Sequence, residues 1–345
     1  MNWTTFRRVM LAVSTVAALS PMRAADAAKP EVLALEGDLS PIHDPAMARD
    51  GDNYYVFATN RYQQKDVPIF CSADLHHWKF CGNVFDGVPA WALKEIPGAR
   101  GIWAPDVKFV RGEFRLYYSV STFGSNVSVI GLTTNKTLNP ASPDYKWVDQ
   151  GLVFASKKED DFNAIDPNLA VDQNGDMWMS FGSFWSGIKM RKIDPKTGKL
   201  ASDDTTLYSL ASRPRSAEVK AEIEAPFIVR RDNYYYLFVS FDRCCRGANS
   251  TYKTMVGRSD KITGPYVDKA GKAMMDGGGT LLIEGNESWK GPGGGSVVQD
   301  TKGDFYVFHT YDGTNGRSFL QISTMVWENG WPRVGSLPAP AKPKP

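Results

Sequence analysis

Residues 162–187 read Phe-Asn-Ala-Ile-Asp-Pro-Asn-Leu-Ala-Val-Asp-Gln-Asn-Gly-Asp-Met-Trp-Met-Ser-Phe-Gly-Ser-Phe-Trp-Ser-Gly. A carboxylate, Asp166, stands immediately before a proline. An apolar-rich run at 168–171 leads into the polar turn 172–176 and then a second apolar run at 177–181. Asn, Asp and Gly in the turn supply the positive φ that a tight hairpin needs, and the flanking runs have the period and residue types of strands. The stretch predicts a β-hairpin with an acid at its leading end, followed by a loop of small and aromatic residues.

The turn-then-aromatic-strand unit recurs. It appears as Gly51-Asp52-Asn53-Tyr54-Tyr55-Val56-Phe57, as Gly112-Glu113-Phe114-Arg115-Leu116-Tyr117, and as Gly175-Asp176-Met177-Trp178-Met179-Ser180. Two more copies are Asp232-Asn233-Tyr234-Tyr235-Tyr236-Leu237 and Gly303-Asp304-Phe305-Tyr306-Val307-Phe308. Aligned on residues 53, 113, 176, 233 and 304, they lie 60, 63, 57 and 71 residues apart. A period near sixty accommodates four short strands, and further strand signals at 68–71, 127–133 and 254–258 fill the intervals. Five such units predict an all-β, five-bladed β-propeller with four-stranded antiparallel blades around a central channel.

In a propeller the first strand of each blade lines the channel, so the five lead-ins gather at one mouth. They read His43-Asp44-Pro45, Ala104-Pro105-Asp106, Ile165-Asp166-Pro167, Glu224-Ala225-Pro226 and Gly291-Pro292-Gly293. Asp44, Asp166 and Glu224 should therefore converge, although a purely structural repeat needs no carboxylate there. Any one of them alone fits a turn-former or a calcium ligand. Three together in a partly buried funnel raise at least one pKa, which separates a protonated acid from an ionised base, the pair that cleaves a glycosidic bond. Trp103, Phe123, Phe184 and Trp185 fall near the same mouth and have the flat apolar faces that stack on sugar rings.

Composition sets the outer limits. The 345 residues carry a net charge of only +2, which gives no reason to expect nucleic acid or an anionic surface as partner. Ten Trp, 14 Tyr and 18 Phe, with many Gly and Pro, favour short strands and tight turns over helices. Arg7 and Arg8, the apolar run 9–19 and the small residues Ala25-Asp26-Ala27 resemble a cleavable leader. Residues 1–27 are thus expected to be a signal peptide and 28–345 one catalytic propeller, secreted to the periplasm or medium. The proline-alternating tail after about residue 335 is expected to fray. The apolar run is too short to span a bilayer, and no later segment is apolar enough. Cys71 and Cys81 flank a possible hairpin and Cys244 and Cys245 are neighbours; neither spacing is that of a zinc knuckle, and bonded or free states stay open for both pairs. His76 and His77 fall in a turn and should face solvent. Asn126, Asn135, Asn249 and Asn286 match glycosylation triplets, which occur by chance.

Several of these segments resemble glycoside hydrolase family 43, and within it the endo-acting arabinanases. They are Ile42-His43-Asp44-Pro45, Gly101-Ile102-Trp103-Ala104-Pro105-Asp106, Asn163-Ala164-Ile165-Asp166-Pro167, Ser183-Phe184-Trp185-Ser186-Gly187 and Glu224-Ala225-Pro226-Phe227. Later pieces agree: Cys244-Cys245-Arg246-Gly247, Ser250-Thr251-Tyr252, Gly257-Arg258-Ser259, Gly264-Pro265-Tyr266 and His309-Thr310-Tyr311-Asp312. The resemblance runs from about residue 40 to 333, and the ordered set is far more specific than any Asp-Pro alone. It implies that Asp44 is the general base, Glu224 the general acid and Asp166 the modulator of the acid's pKa. It further implies inversion of configuration, for which base and acid stand about 6.5–9.5 Å apart to admit water. Trp103, Phe123, Gly124, Asn163, Ala164, Ile165, Ser183, Phe184 and Trp185 would contact substrate. His309, by residue type alone a core histidine, would face a hydrated metal, usually calcium, in the channel. One departure stands out: relatives often carry a histidine where this chain has Gly294.

The expected activity is endo-hydrolysis of α-1,5-linked arabinan by a monomer. An exo-acting α-L-arabinofuranosidase or β-xylosidase on the same fold is the alternative. Short loops between units and no appended sandwich after the fifth favour a groove open at both ends. A reading from another class, a sugar-binding propeller without catalysis, is opposed by the three intact carboxylates.

Overall fold

The computed structural model describes Met1 and residues 29–59, 61–62, 65–214 and 221–339. The leader segment and residues 340–345 lie outside the described residues. Five antiparallel sheets follow one another along the chain. Their inner strands are His43–Asp50, Trp103–Val110, Asn168–Val171, Ile223–Arg231 and Trp289–Asp300. Each folds back at the turn that the repeat marks, with Asp50 opposite Asn53, Val110 opposite Glu113, Val171 opposite Met177, Arg231 opposite Tyr234 and Asp300 opposite Gly303. The hairpin expected at 168–181 is present as Asn168–Val171 and Met177–Phe181.

The aromatic second strands explain why five small sheets form one body. Their side chains alternate between the two faces of each blade, so Tyr54, Tyr117, Tyr236, Phe238, Tyr306 and Phe308 are buried within or between blades. One cluster joins blades one and two through Phe57, Ile69, Leu116 and Tyr118. Another joins blades four and five through Phe238, Val256, Tyr306 and Phe308. Fully burying a side chain of this size is worth about 1.5–3 kcal/mol.

Polar groups stitch the inner edges of the seams. Asp106 of blade two accepts from the Leu169 amide of blade three at 2.7 Å, and Asn168 of blade three accepts from the Ile228 amide of blade four at 2.8 Å. Asp300 of blade five accepts from Arg49 and from Tyr54 of blade one. These bonds satisfy buried groups that would otherwise cost stability.

The ring closes with a segment that the repeat does not announce. Val32 bridges to Ser323 in blade five, and Glu36–Gly37 then runs parallel to His77–Trp78 in blade one. The residues before the first repeat thus tie the last blade to the first, with Leu33, Leu35 and Leu39 packed inward. His76 and His77 are exposed as expected and are tethered there, His76 to the Ala34 carbonyl and His77 to Asp74. A short helix, Ala90–Glu95, was likewise not foreseen. Both cysteine pairs are bonded, Cys71 to Cys81 across strands and Cys244 to Cys245 within one turn.

One expectation changes. Leu337, in the tail expected to fray, is buried, and Asn286 donates to the Leu337 and Pro338 carbonyls. Of the glycosylation triplets, Asn126 and Asn135 are buried and thus closed to modification.

Candidate active site

The five lead-ins share a backbone feature that the sequence only hints at. Asp44, Ala104, Asp166, Ala225 and Gly294 all have left-handed φ, at 46°, 41°, 57°, 52° and 55°. In four blades the ladder register slips there by one residue: between His43 and Ala46, Trp103 and Asp106, Glu224 and Phe227, Gly293 and Ser296. This is a β-bulge repeated around the ring. Bulges re-aim side chains next to functional sites, and a non-glycine residue held at positive φ costs about 1–3 kcal/mol.

The bulge corrects the alignment of the lead-ins. The second is centred on Ala104 rather than Pro105, and the fifth on Gly294 rather than Pro292. Asp44 and Asp166 occupy the bulge slot itself. Glu224 lies one residue earlier, in the slot of His43, Trp103 and Ile165, so it approaches the mouth from a different direction. The three acids nevertheless converge. Asp44, Asp166, Ala225 and Gly294 line one water-sized space of about 40 Å³ in the channel, and the Ala225 amide donates to Asp166 Oδ2 at 3.1 Å.

Their surroundings differ in kind. Asp44 Oδ2 accepts from Thr59 Oγ1 at 2.7 Å and faces His43 Nδ1 at 2.8 Å. Burial alone would raise this carboxyl, but the His43 charge and hydrogen bond, with His309 and Thr59, outweigh it and hold Asp44 at about 2. Glu224 is also buried, with no cation bonded to it among the described residues. Ser183 donates to Oε2 at 2.6 Å and Tyr252 bonds Oε1. Burial, reinforced by the Asp44 charge against the opposing Ser183 bond, raises Glu224 to about 7. Asp166 is pushed up by burial and then by Glu224 and Asp44, against the Ala225 amide. Both carboxyls are therefore pushed upward, in the direction opposite to Asp44. An amide can only donate, which favours the ionised form of Asp166; the Ser183 and Tyr252 hydroxyls can donate or accept, which tolerates a protonated Glu224.

The expected substrate contacts separate into surfaces and supports. Phe123 projects into solvent at 85 % exposure, and Trp103, Phe184 and Trp185 are half-buried. Phe184 and Trp185 have positive φ, and the Phe184 amide donates to the Ile223 carbonyl, which places their loop against the start of the strand carrying Glu224. Asn163, Ala164 and Ile165 are buried instead. They belong to a hydrogen-bonded seam: Ser128 donates to Asn163 Oδ1, the Ala164 amide to Ser156, and Asn126 to the Lys157 and Asp160 carbonyls. This seam fixes the loop bearing Phe123 and Gly124 against the segment leading to Asp166. Ser183 touches the acid itself.

His309 is fully buried, stacked on His43 with ring centroids 3.8 Å apart, and burial with the His43 charge lowers its pKa. Its Nδ1 accepts from the Asp44 amide at 3.2 Å, and its Nε2 has no partner among the described residues. While Nδ1 accepts from that amide the neutral ring carries its proton on Nε2, so holding a cation at Nε2 would need the other tautomer, with the proton on Nδ1 and the amide contact given up. A single nitrogen suits a hydrated ion whose other ligands are water, since calcium prefers oxygen. His43, Thr59, Tyr252 and Tyr311 are the functional neighbours that sequence reasoning missed. Three of them sit inside quoted motifs, but nothing local says which acid they reach.

Comparison with known proteins agrees with this geometry. The model of glycosyl hydrolases family 43 matches residues 40–332. An extracellular exo-α-(1→5)-L-arabinofuranosidase of Cellvibrio japonicus is 45 % identical over 303 residues, 85 % of this chain and 86 % of that protein. An extracellular endo-α-(1→5)-L-arabinanase of Bacillus subtilis is 43 % identical over 293 residues, 84 % of this chain and 87 % of the relative. The crystal structure of a Cellvibrio cellulosa α-L-arabinanase complexed with arabinohexaose superposes with a TM-score of 0.80 at 43 % identity, covering 86 % of this chain and 96 % of that one. With the match spanning all five blades and the acid-lined mouth, the chain belongs to glycosyl hydrolase family 43.

Proposed function

We propose that this protein is an endo-acting hydrolase of α-1,5-linked L-arabinan that inverts configuration. The observation that carries the reading is the convergence of three buried carboxylates in unlike surroundings: Asp44 held low beside His43 and Thr59, Glu224 and Asp166 pushed up by burial and neighbouring charge. Asp44 takes a proton from the attacking water while Glu224 gives its proton to the leaving oxygen, on opposite sides of the sugar. Asp166, fixed by the Ala225 amide, raises the pKa of Glu224 and so keeps its proton in place. Trp103, Phe123, Phe184 and Trp185 offer the sugar-facing surfaces, and burial of the acid keeps bulk water from levelling its pKa.

The relatives include both an exo and an endo enzyme, so exo action is the second reading. A time-resolved chromatogram from linear arabinan separates them. Internal cleavage gives a spread of oligosaccharides at low conversion; a single short product from the first minutes supports the exo reading. No product at all, with arabinan bound, would leave a sugar-binding propeller.

His309 is proposed to hold a hydrated calcium ion through Nε2, where the ion would supply positive charge beside the ionised acids. The chain is proposed to act as a monomer outside the cytoplasm, after loss of its leader. Two disulfides are in keeping with an oxidising compartment, and among the described residues no helix is long and apolar enough to cross a membrane.

A further inference from the structure

Asp44 has two chemically equivalent oxygens, and the protein treats them unequally. Oδ2 is committed twice, to Thr59 Oγ1 at 2.7 Å and to His43 Nδ1 at 2.8 Å. Oδ1 accepts no hydrogen bond among the described residues. Its close neighbour is Gly294, where a Cβ would stand 2.4 Å from Oδ1. The missing side chain therefore leaves room over one oxygen, beside the water-sized space that Asp44 and Gly294 both line.

The two groups on Oδ2 are themselves held. Thr59 lies opposite His43 in the ladder of blade one, and its hydroxyl accepts from the Ala104 amide of blade two at 2.6 Å. One hydroxyl thus ties the acid to the bulge that follows Trp103. On the other side, His43 Nε2 meets the Tyr311 hydroxyl at 2.5 Å, and that hydroxyl accepts from the Cys245 amide at 2.9 Å. Cys245 has φ 62° and is bonded to Cys244, so its amide is presented by a short closed turn. His43 also stacks on the buried His309. With Nε2 and one ring face engaged, the imidazole has little freedom to turn away from Asp44.

We propose that Thr59 and His43 are positioning residues that lock Asp44 Oδ2, so that Oδ1, above Gly294, is the oxygen that receives the proton of the attacking water. This rests on the reading of Asp44 as general base. Neither residue needs to touch substrate; each acts by fixing a carboxylate whose misplacement by about 1 Å can cost roughly 10²-fold in rate.

The test measures kcat and KM on linear arabino-oligosaccharides for Thr59→Val, Thr59→Ser, His43→Phe and His43→Asn, with Asp44→Asn in the same assay and thermal melts of each. Valine keeps the shape of threonine without the hydroxyl, and asparagine can present a donor where Nδ1 stands. Thr59→Val is expected to lower kcat about 30-fold with KM within about twofold, and Thr59→Ser to recover most of the loss. His43→Asn is expected to retain about tenfold more kcat than His43→Phe. Should one pair fail to fold, the other decides. The proposal is overturned if folded Thr59→Val and His43→Phe keep kcat within threefold of wild type, or if the loss lies in KM, or if serine and asparagine rescue nothing. Asp44→Asn separates the two levels: if it stays active, the base assignment itself fails; if it is dead while the four variants are active, only the positioning inference fails.

Discussion

The side of the mouth built by blades one and five and the side built by blades three and four start from the same backbone. Asp44 and Asp166 sit at equivalent bulges with φ 46° and 57°, and both precede a proline. Around Asp44 the protein places two imidazoles and a hydroxyl. Around Asp166 it places a second carboxylate and, among the described residues, a single amide donor. One repeat slot therefore yields a carboxyl held at about 2 on one side and a carboxyl pushed well above its ordinary value on the other. Burial acts on both sides in the same direction; the sign of the neighbouring charge decides the outcome.

The sharpest way to break this comparison is to remove either pole. Glu224→Gln and Asp44→Asn are each expected to lower kcat by roughly 10³–10⁴-fold on arabinan while the folded state persists, measured by reducing-end assay and circular dichroism. Gly294→Ala strikes the base side without touching a carboxylate. Its Cβ would meet Asp44 Oδ1 at 2.4 Å and His309 Cε1 at 2.9 Å, at a φ of 55°, and a loss of about 10²-fold in kcat is expected from the displaced oxygen. Asp166→Asn should lower kcat by about 10²-fold and move the alkaline limb of the rate profile downward, because the charge that holds the proton on Glu224 is gone.

A gentler test uses stability. The folded pKa of Glu224 is raised from an ordinary 4.5 to about 7, so its contribution is fully present below about 4.5 and is lost as pH rises through 7. Glu224→Gln should therefore gain melting temperature relative to wild type between pH 5 and pH 8 as measured by calorimetry, an effect of a few degrees. An unchanged difference across that range would mean that the acid side is not under strain. Chelation is expected to do least: since a hydrated ion would have one protein ligand, treatment with EDTA should lower activity only a few-fold, restored by calcium and not by magnesium, which demands stricter geometry.

How much of this could be read from the chain follows the same division. The blades were legible because each repeats a turn of Gly, Asn or Asp before an aromatic strand, as at Gly51–Phe57 and Gly303–Phe308. The three acids were legible because they sit at lead-ins of that repeat. What was not legible lies between blades. Glu224 shares its blade with Tyr252 but takes Ser183 from blade three, and Asp44 takes His309 from 265 residues away. The ring-closing segment was missed because residues 29–39 belong to no copy of the repeat; its partners, Ser323 and Trp78, lie at opposite ends of the chain. The one-residue offset of Glu224 from the bulge slot was hidden because proline follows Ala225 as it follows Asp44 and Asp166, and only the ladder register tells the slots apart.

The division of the two sides is tested most directly by carboxyl ¹³C NMR titration of protein labelled at its glutamate side-chain carbons. A glutamate signal titrating near 7, absent from Glu224→Gln, is the predicted result. A wild-type spectrum in which every glutamate titrates below about 5, in the range of exposed carboxylates, would contradict it.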